Sequence, residues 1–360
     1  MTGRRKERVL VAMSGGVDSA VAAALLVERG YEVLGVTMHL WDYGDASEGA
    51  GFGRCCGPAD VRDARRVATL LGIRHYVLNF KENFRGAVVN PFVQAYRQGR
   101  TPVPCIACNR AMKFDRLVTK AAEVGADLVA TGHYALRREG RDGQPRLMRA
   151  LDRRKDQTYF LFDLRPEQVS RALFPVGDLD KEAVRETARA FGLALADKAE
   201  SQEICFIPDG DTAAFVTREL GEDAPGAGDI VDTRGHVVGR HAGIHRYTVG
   251  QRRGLGLPDG PWYVVEVDAD ANRIVVGSAK DVYRTTFKVM GANWMIGQPP
   301  HTARVSVKIR HAQAEGEGLV RFITPSTAEV ELAAPARAVA PGQAAVFYRG
   351  DLLLGGGWIA

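Results

Sequence analysis

The chain has 360 residues, enough for two or three domains with sizeable cores. Its net charge of +5, from 48 Lys and Arg against 43 Asp and Glu, leans mildly towards an anionic partner. No apolar run approaches the ~20 residues needed to span a bilayer, and the basic stretch 2–8 runs straight into a strand without a signal-peptide core, so a cytoplasmic protein with no membrane partner is expected.

In chain order, Val9-Leu10-Val11-Ala12 reads as a buried strand and 20–26, rich in Ala, Val and Leu, as a helix. Between them lies Met13-Ser14-Gly15-Gly16-Val17-Asp18-Ser19. A loop at a strand's end and a helix's start has unpaired backbone N–H groups, and the helix dipole favours an anion there. Gly15 and Gly16 permit close backbone approach, and Ser14 and Ser19 add hydroxyl donors. A lone Gly-Gly would be an ordinary turn. The glycines, flanking serines and Asp18 together at this junction predict a phosphate cradle, though not a Walker A loop, because no Gly-Lys-Ser/Thr follows.

Further on, 31–37, 74–80 and 126–131 read as strands, and 58–71 and 113–123 as helices. This alternation predicts an α/β domain built on a doubly wound parallel sheet. Ligands in such sheets lie beyond the carboxyl ends of the strands, which puts Met38 and Thr131-Gly132-His133 on the same edge as the loop. Residues 137–155 are Arg-rich around the turn Asp142-Gly143, as in a solvated hairpin. Lys155-Asp156-Gln157-Thr158-Tyr159-Phe160 mixes a cation, polar groups and aromatic faces, which suits phosphates and unstacked bases. A helix with Asp180 as N-cap follows over 180–191, and a shorter one over 212–220.

After Pro225-Gly226-Ala227-Gly228 helices all but vanish. Short β-type runs at 230–231, 237–238, 262–267 and 273–276 predict a small β-rich unit, which contains the cationic, Gly-rich loop 247–257. Strands near 303–309, 318–323, 328–332, 344–348 and 352–359 predict a C-terminal antiparallel β-barrel. The expected domains are 1–223, 224–283 and 284–360.

The five cysteines are an odd count in a long chain without a signal, which argues against a disulfide framework. Thr101-Pro102-Val103-Pro104-Cys105-Ile106-Ala107-Cys108-Asn109 carries a C-x-x-C behind two stiffening prolines. A helix starting near Cys108 would lower a thiol pKa there. A thiol–disulfide centre, metal or cluster ligation, and buried filler are the competing readings. Cys55-Cys56 reads as a loop pair without a catalytic role. Zinc would need distant ligands, since no second C-x-x-C exists.

Taken in order, Ser14 to Ser19, the Thr-Pro…Cys-Asn stretch, Ala130-Thr131-Gly132-His133-Tyr134, Lys155-Asp156-Gln157, Ser201-Gln202-Glu203-Ile204-Cys205-Phe206, Thr248-Val249-Gly250-Gln251-Arg252 and Pro341-Gly342-Gln343…Leu354-Gly355-Gly356-Gly357 resemble the bacterial tRNA-specific 2-thiouridylases. These tRNA-uridine 2-sulfurtransferases belong to the PP-loop ATP pyrophosphatases, whose SGGxDS signature the first loop matches. The resemblance implies that Ala12, Met13, Ser14, Gly15, Gly16, Val17, Asp18, Ser19, Met38 and Gly132 bind ATP, with Mg2+ screening the phosphates. It implies that Cys205 carries sulfur as a persulfide and that Cys108 is the nucleophile that releases it, leaving a Cys108–Cys205 disulfide. Val103, Pro104 and Cys105 would lie by the target base, and His133, Lys155, Asp156, Gln157, Arg310, His311 and Gln343 would contact tRNA. The implied partners are the tRNAs for Lys, Glu and Gln and a sulfur donor from a cysteine desulfurase, direct or relayed.

One position departs from the family pattern: Cys105 stands where its members carry Asp. With Cys108 and Cys205 it makes a three-cysteine set, and related thiolating enzymes hold an iron–sulfur cluster on such a set. The persulfide route and the cluster route are both open to the sequence.

Overall fold

The computed structural model describes residues 6–42, 57–199 and 204–360. Cys55, Cys56 and the Ser201-Gln202-Glu203 part of the motif before Cys205 lie outside them. The chain divides into two compact units: Met1–Ala87 with Cys105–Gly210 and Asp351–Leu353, and Val88–Pro104 with Asp211–Gly350 and Leu354–Ala360.

The first unit is the predicted parallel sheet. Strands β1 (Arg8–Ala12), β2 (Glu32–His39), β3 (Arg74–Asn79) and β4 (Leu128–Ala130) are joined by a two-residue strand at Ala172–Leu173 in the order β3-β2-β1-β4 and then that last strand. Every pairing in this sheet is parallel. The sheet grows from β1 first to one side and then to the other, so the crevice past the end of β1 is the switch point where such sheets bind ligands. Val9 and Val11 of β1 are fully buried, each stabilising by about 1.5–3 kcal/mol. Helix α1 (Val17–Glu28) is apolar nearly all round, with Ala20, Val21, Ala22, Ala23 and Ala24 shielded from solvent. It is sandwiched between the sheet and the helix Lys181–Ala190, whose Val184 and Ala188 share its core cluster. That second helix starts as predicted, with the Asp180 carboxylate accepting from the Ala183 N–H at 2.8 Å.

Two helical regions differ from the sequence reading. Residues 81–97 are helical throughout, with a π-helical turn at Arg85–Val89 between Lys81–Phe84 and Asn90–Arg97. The helix expected from Lys113 starts at Pro104 instead, and passes through a π-helical stretch, Asn109–Arg116, into Leu117–Glu123. The wide turn is held by Gln168, whose buried side-chain amide donates to the carbonyls of Arg110 (3.1 Å) and Phe114 (3.0 Å).

In the second unit, strands Gly228–Asp232, Val237–His241, Tyr263–Asp268 and Arg273–Gly277 form a four-stranded sheet over a core containing Ile230, Val264, Ile274 and Val276. The strands Tyr283–Trp294, Thr302–Lys308, Gly316–Thr324, Thr327–Arg337, Ala344–Arg349 and Leu352–Ile359 form the antiparallel barrel. Tyr283–Trp294 was not foreseen. It pairs with the last strand (Val289 with Ile359, Trp294 with Gly355) and closes the barrel. Closure is tight at Gly355, where a Cβ would lie 2.0 Å from the Asn293 carbonyl oxygen. Among the described residues no helix is long and apolar enough to cross a membrane.

Candidate active site

The loop after β1 meets the start of α1 at Gly16, which caps the helix with no side-chain acceptor for its first N–H groups. These donors are the natural partners of a phosphate. Gly15 has φ +76°, and a Cβ there would lie 2.4 Å from the Asp60 carbonyl oxygen. Gly132, just beyond β4, packs directly on the same helix start, where a Cβ would lie 2.6 Å from the Ser19 N–H nitrogen. Both positions therefore exclude any other residue. Ser19 is buried. Its hydroxyl donates to the Gly16 carbonyl (2.9 Å) and accepts from the Ser14 N–H (3.2 Å), so it fixes the loop from within. Met13 stays in register with β2 through its N–H to the Val36 carbonyl, and its own carbonyl accepts from the Thr37 hydroxyl at 2.7 Å. Met38, Val17 and Met13 are buried and Ala12 partly so, and their side chains offer no polar group to a ligand.

The cations around the loop, Lys181 and Lys198, are residues the sequence reading did not single out. Asp18 accepts from the Tyr134 hydroxyl and from the Lys181 ammonium, each at 2.7 Å. Lys198 donates to the Gly15 carbonyl (2.8 Å) and to the carboxylates of Asp60 (2.8 Å) and Asp63 (2.7 Å). Burial lowers the Lys198 pKa, but the two carboxylates outweigh it, and the net shift is upward. Both lysines are more than 160 residues from their loop partners in sequence (positions 163 and 183 residues apart), and no local spacing signals them. The uncapped helix start and the two glycine approaches fit a nucleotide triphosphate. Mg2+ needs no protein cage when phosphates supply its ligands, and Asp18 stands in the first turn of the helix.

Of the cysteines, Cys108 is buried, Cys205 partly buried and Cys105 exposed. Because the helix begins at Pro104, Cys108 lies a turn inside it and Cys105 in its first turn, the reverse of the expected placement in the helix-end field. Beside Cys108, the buried Asn109 amide donates to the Phe160 carbonyl at 3.0 Å and anchors the segment. Cys205 is positioned by its neighbour Phe206, which is buried edge-on against Phe84 (5.6 Å between centroids) and tilted against Trp41 (6.0 Å). Among the described residues, no three His, Cys, Asp or Glu gather as a metal-holding group. Cys105, Cys108 and Cys205 as placed do not fit a cluster ligand set.

Several residues expected to meet tRNA turn inward. His133 is buried; its Nδ1 bonds the Thr131 hydroxyl (2.7 Å) and its Nε2 lies 3.3 Å from the Lys113 ammonium. Burial, and then Lys113, holds its pKa well below the ordinary range, so the ring is neutral at pH 7. Asp156 is buried and accepts from the Ala150 N–H (3.1 Å) and the Thr158 hydroxyl (2.8 Å). Gln157 accepts from the Tyr134 N–H at 2.9 Å, whereas Lys155 is partly exposed. In the second unit, the Gln343 amide donates to the Thr101 carbonyl (2.9 Å), which fixes the segment entering Val103 and Pro104. Arg310 donates to the carbonyls of Val249 (3.0 Å) and Ala338 (3.1 Å), and His311 is exposed.

A parallel sheet with an uncapped glycine loop at its switch point defines a nucleotide-binding α/β domain of the PP-loop kind. Three family models cover the chain: a tRNA methyl transferase HUP domain over residues 7–209, a tRNA methyl transferase PRC-barrel domain over 213–278 and an aminomethyltransferase beta-barrel domain over 284–359. Full-length relatives carry a different chemical name. The tRNA-specific 2-thiouridylase MnmA of Geobacter metallireducens is 48% identical, covering 100% of this chain and 98% of that protein. Proteins of the same name from Magnetococcus marinus (48% identical, 98% of this chain, 99% of that one) and Paramagnetospirillum magneticum (50%, 98% and 95%) match equally well. The chain belongs to the tRNA-specific 2-thiouridylase family.

Proposed function

We propose that this chain is an ATP-dependent tRNA-uridine 2-sulfurtransferase, with domains 1–223, 224–283 and 284–360 for adenylation, a small β-rich centre and a barrel. The observation that carries the reading is the uncapped start of α1 at Gly16, closed in by Gly15 and Gly132, in the same compact unit as Cys108 and Cys205. The residues from Ala12 to Ser19, with Met38 and Gly132, hold the triphosphate and purine ends of ATP. Lys181 neutralises Asp18 and Lys198 neutralises Asp60 and Asp63, which keeps unpaired carboxylates away from the phosphates, and Mg2+, when bound with ATP, would screen the phosphate charge.

Uridine O2 is a poor leaving group until it is adenylated; ATP then yields pyrophosphate and the O-adenylated base. The terminal sulfur of a Cys205 persulfide attacks C2, AMP departs with the oxygen, and the base is left joined to Cys205 through a disulfide. The Cys108 thiolate attacks the Cys205 sulfur, the S–S bond to the base breaks, and 2-thiouridine is released with a Cys108–Cys205 disulfide. An external two-electron thiol reductant restores both cysteines. Val103, Pro104 and Cys105 flank the target base, which must be unstacked to be reached. Lys155, Arg310, His311 and Gln343 face the RNA, and His133, Asp156 and Gln157 act by holding the segments that do so. Cys105 has no step in this route. The tRNAs for Lys, Glu and Gln are the proposed substrates, and a cysteine desulfurase is the proposed source of sulfur.

The test is nucleoside mass spectrometry of unmodified tRNA incubated with ATP, Mg2+, a desulfurase system and either the wild type or Cys205→Ser. The wild type should form 2-thiouridine with stoichiometric AMP. Cys205→Ser should form none while still binding ATP, and unimpaired thiolation by it would remove Cys205 from the route.

A further inference from the structure

We propose that the four-stranded part of the second unit carries a docking pocket for one unstacked nucleotide of the RNA, between Arg252 and Trp262. The pocket encloses about 310 Å³ and is lined by Arg252, Leu255, Leu257, Pro261 and Trp262 together with glycine backbone. This size is at the lower end of the range for small-ligand sites.

The pocket is built before any ligand arrives. The loop that forms it is pinned to the neighbouring strand by the Gly250 N–H to the Val264 carbonyl (2.8 Å) and the Val264 N–H to the Gln251 carbonyl (2.9 Å). The Gln251 side chain accepts from the Thr248 N–H (3.1 Å) and donates to the Arg253 carbonyl (3.0 Å), which fixes the turn itself. The Trp262 indole N–H donates to the Pro258 carbonyl at 2.7 Å. That bond uses the ring's only polar group, so what a ligand can use is its partly exposed face. Leu255 is buried, and Leu257 presses on Gly239, where a Cβ would lie 2.4 Å from the leucine Cδ2. Arg252 is exposed and makes no ion pair among the described residues.

A fixed indole face, an apolar floor and an uncommitted guanidinium recognise a flat ring with an adjacent anion. That is the chemistry of a base and its phosphate. Apart from Arg252, the side chains lining the pocket offer no free donor or acceptor to read base edges, so binding would be tolerant of base identity. An RNA is favoured over a protein partner because the loop is continuous with residues given RNA-facing roles above. Arg310 holds the Val249 carbonyl, and Thr248 bonds the hydroxyl of Thr101, whose carbonyl accepts from Gln343. The inference rests on the tRNA reading of the chain.

The experiment measures equilibrium binding of unmodified tRNA to the full-length protein across a salt series, for wild type, Trp262→Ala, Trp262→Phe and Arg252→Gln. Loss of a base stack should raise Kd about tenfold in Trp262→Ala with the salt slope unchanged, and Trp262→Phe should restore most of the affinity. Arg252→Gln, a surface change that leaves the core untouched, should weaken binding and reduce the slope of log Kd on log salt by about one. Variants that all match the wild type overturn the pocket alone. Variants with wild-type tRNA affinity that, relative to wild type, thiolate more slowly with a protein-borne sulfur donor but not with a small-molecule persulfide assign the pocket to a protein and also overturn it. A wild type that binds no tRNA overturns the functional reading and the pocket together.

Discussion

Lys198 is the residue on which the nucleotide loop depends most directly. It neutralises Asp60 and Asp63 and occupies the Gly15 carbonyl, so its removal leaves two facing carboxylates and an unpaired oxygen under the loop. Leaving such groups unsatisfied costs about 1–3 kcal/mol. Lys198→Met should therefore lower the melting temperature and raise KM for ATP about tenfold, with Lys198→Arg recovering part of both; an unchanged KM would free the loop from this residue. The pH sign follows from the raised pKa. A lysine whose folded-state pKa lies above the ordinary 10.5 contributes fully below 10.5, and the contribution is lost as pH rises through the higher value. The interaction is thus intact across the neutral range. Lys198 is seven positions before Cys205, the residue proposed to carry the sulfur.

At the scale of elements, the close approach of β4's exit to the start of α1 sets the crevice. Gly132→Ala would force a Cβ to 2.6 Å from the Ser19 nitrogen, so either the helix start or the strand end must move. ATP affinity should fall at least tenfold, while circular dichroism keeps its helix and strand content; wild-type affinity in that variant would show that the crevice tolerates the added carbon. The alternation of β1, α1, β2, α2 (Pro58–Leu70), β3 and β4 was legible because buried strands and an Ala-rich helix leave period and composition in the sequence. The helical run from Pro104 was not, because its prolines read as a stiff loop and its wide turn is held by Gln168, 54 residues beyond Phe114. The loop glycines and the cysteines were legible as motifs. Lys181, Lys198 and Tyr134 were not assigned, since only tertiary packing brings them to Asp18 and Gly15. The inward turn of His133 and Asp156 was hidden for the same reason: a polar residue in a motif gives no sign of which way it faces.

Across the whole molecule, four histidines share one electrostatic condition. Burial is the first cause holding His75, His133, His241 and His245 below the ordinary 6.5, with Lys113 adding to it at His133 and Arg65 at His75. A histidine neutral in the folded chain and ordinary in the unfolded one makes unfolding take up a proton. Stability is therefore lost as pH falls below about 6.5 towards the folded-state value, by up to about 1.4 kcal/mol per pH unit for each such group. Urea midpoints should fall between pH 7 and pH 5.5, and His133→Gln should fall less steeply than the wild type over that interval. Parallel profiles would mean that His133 is not the buried neutral ring described.

The account as a whole turns on whether sulfur passes through Cys205. The direct measurement is a single-turnover transfer by iron-stripped protein. Isotopically labelled sulfur is loaded from a desulfurase, the protein is freed of donor under anaerobic conditions, and ATP, Mg2+ and unmodified tRNA are added. The account predicts one labelled 2-thiouridine per loaded chain, a Cys108–Cys205 disulfide left behind, and no labelled product from Cys205→Ser. Labelled product from Cys205→Ser, or product only after iron and sulfide are restored to the wild type, would contradict it.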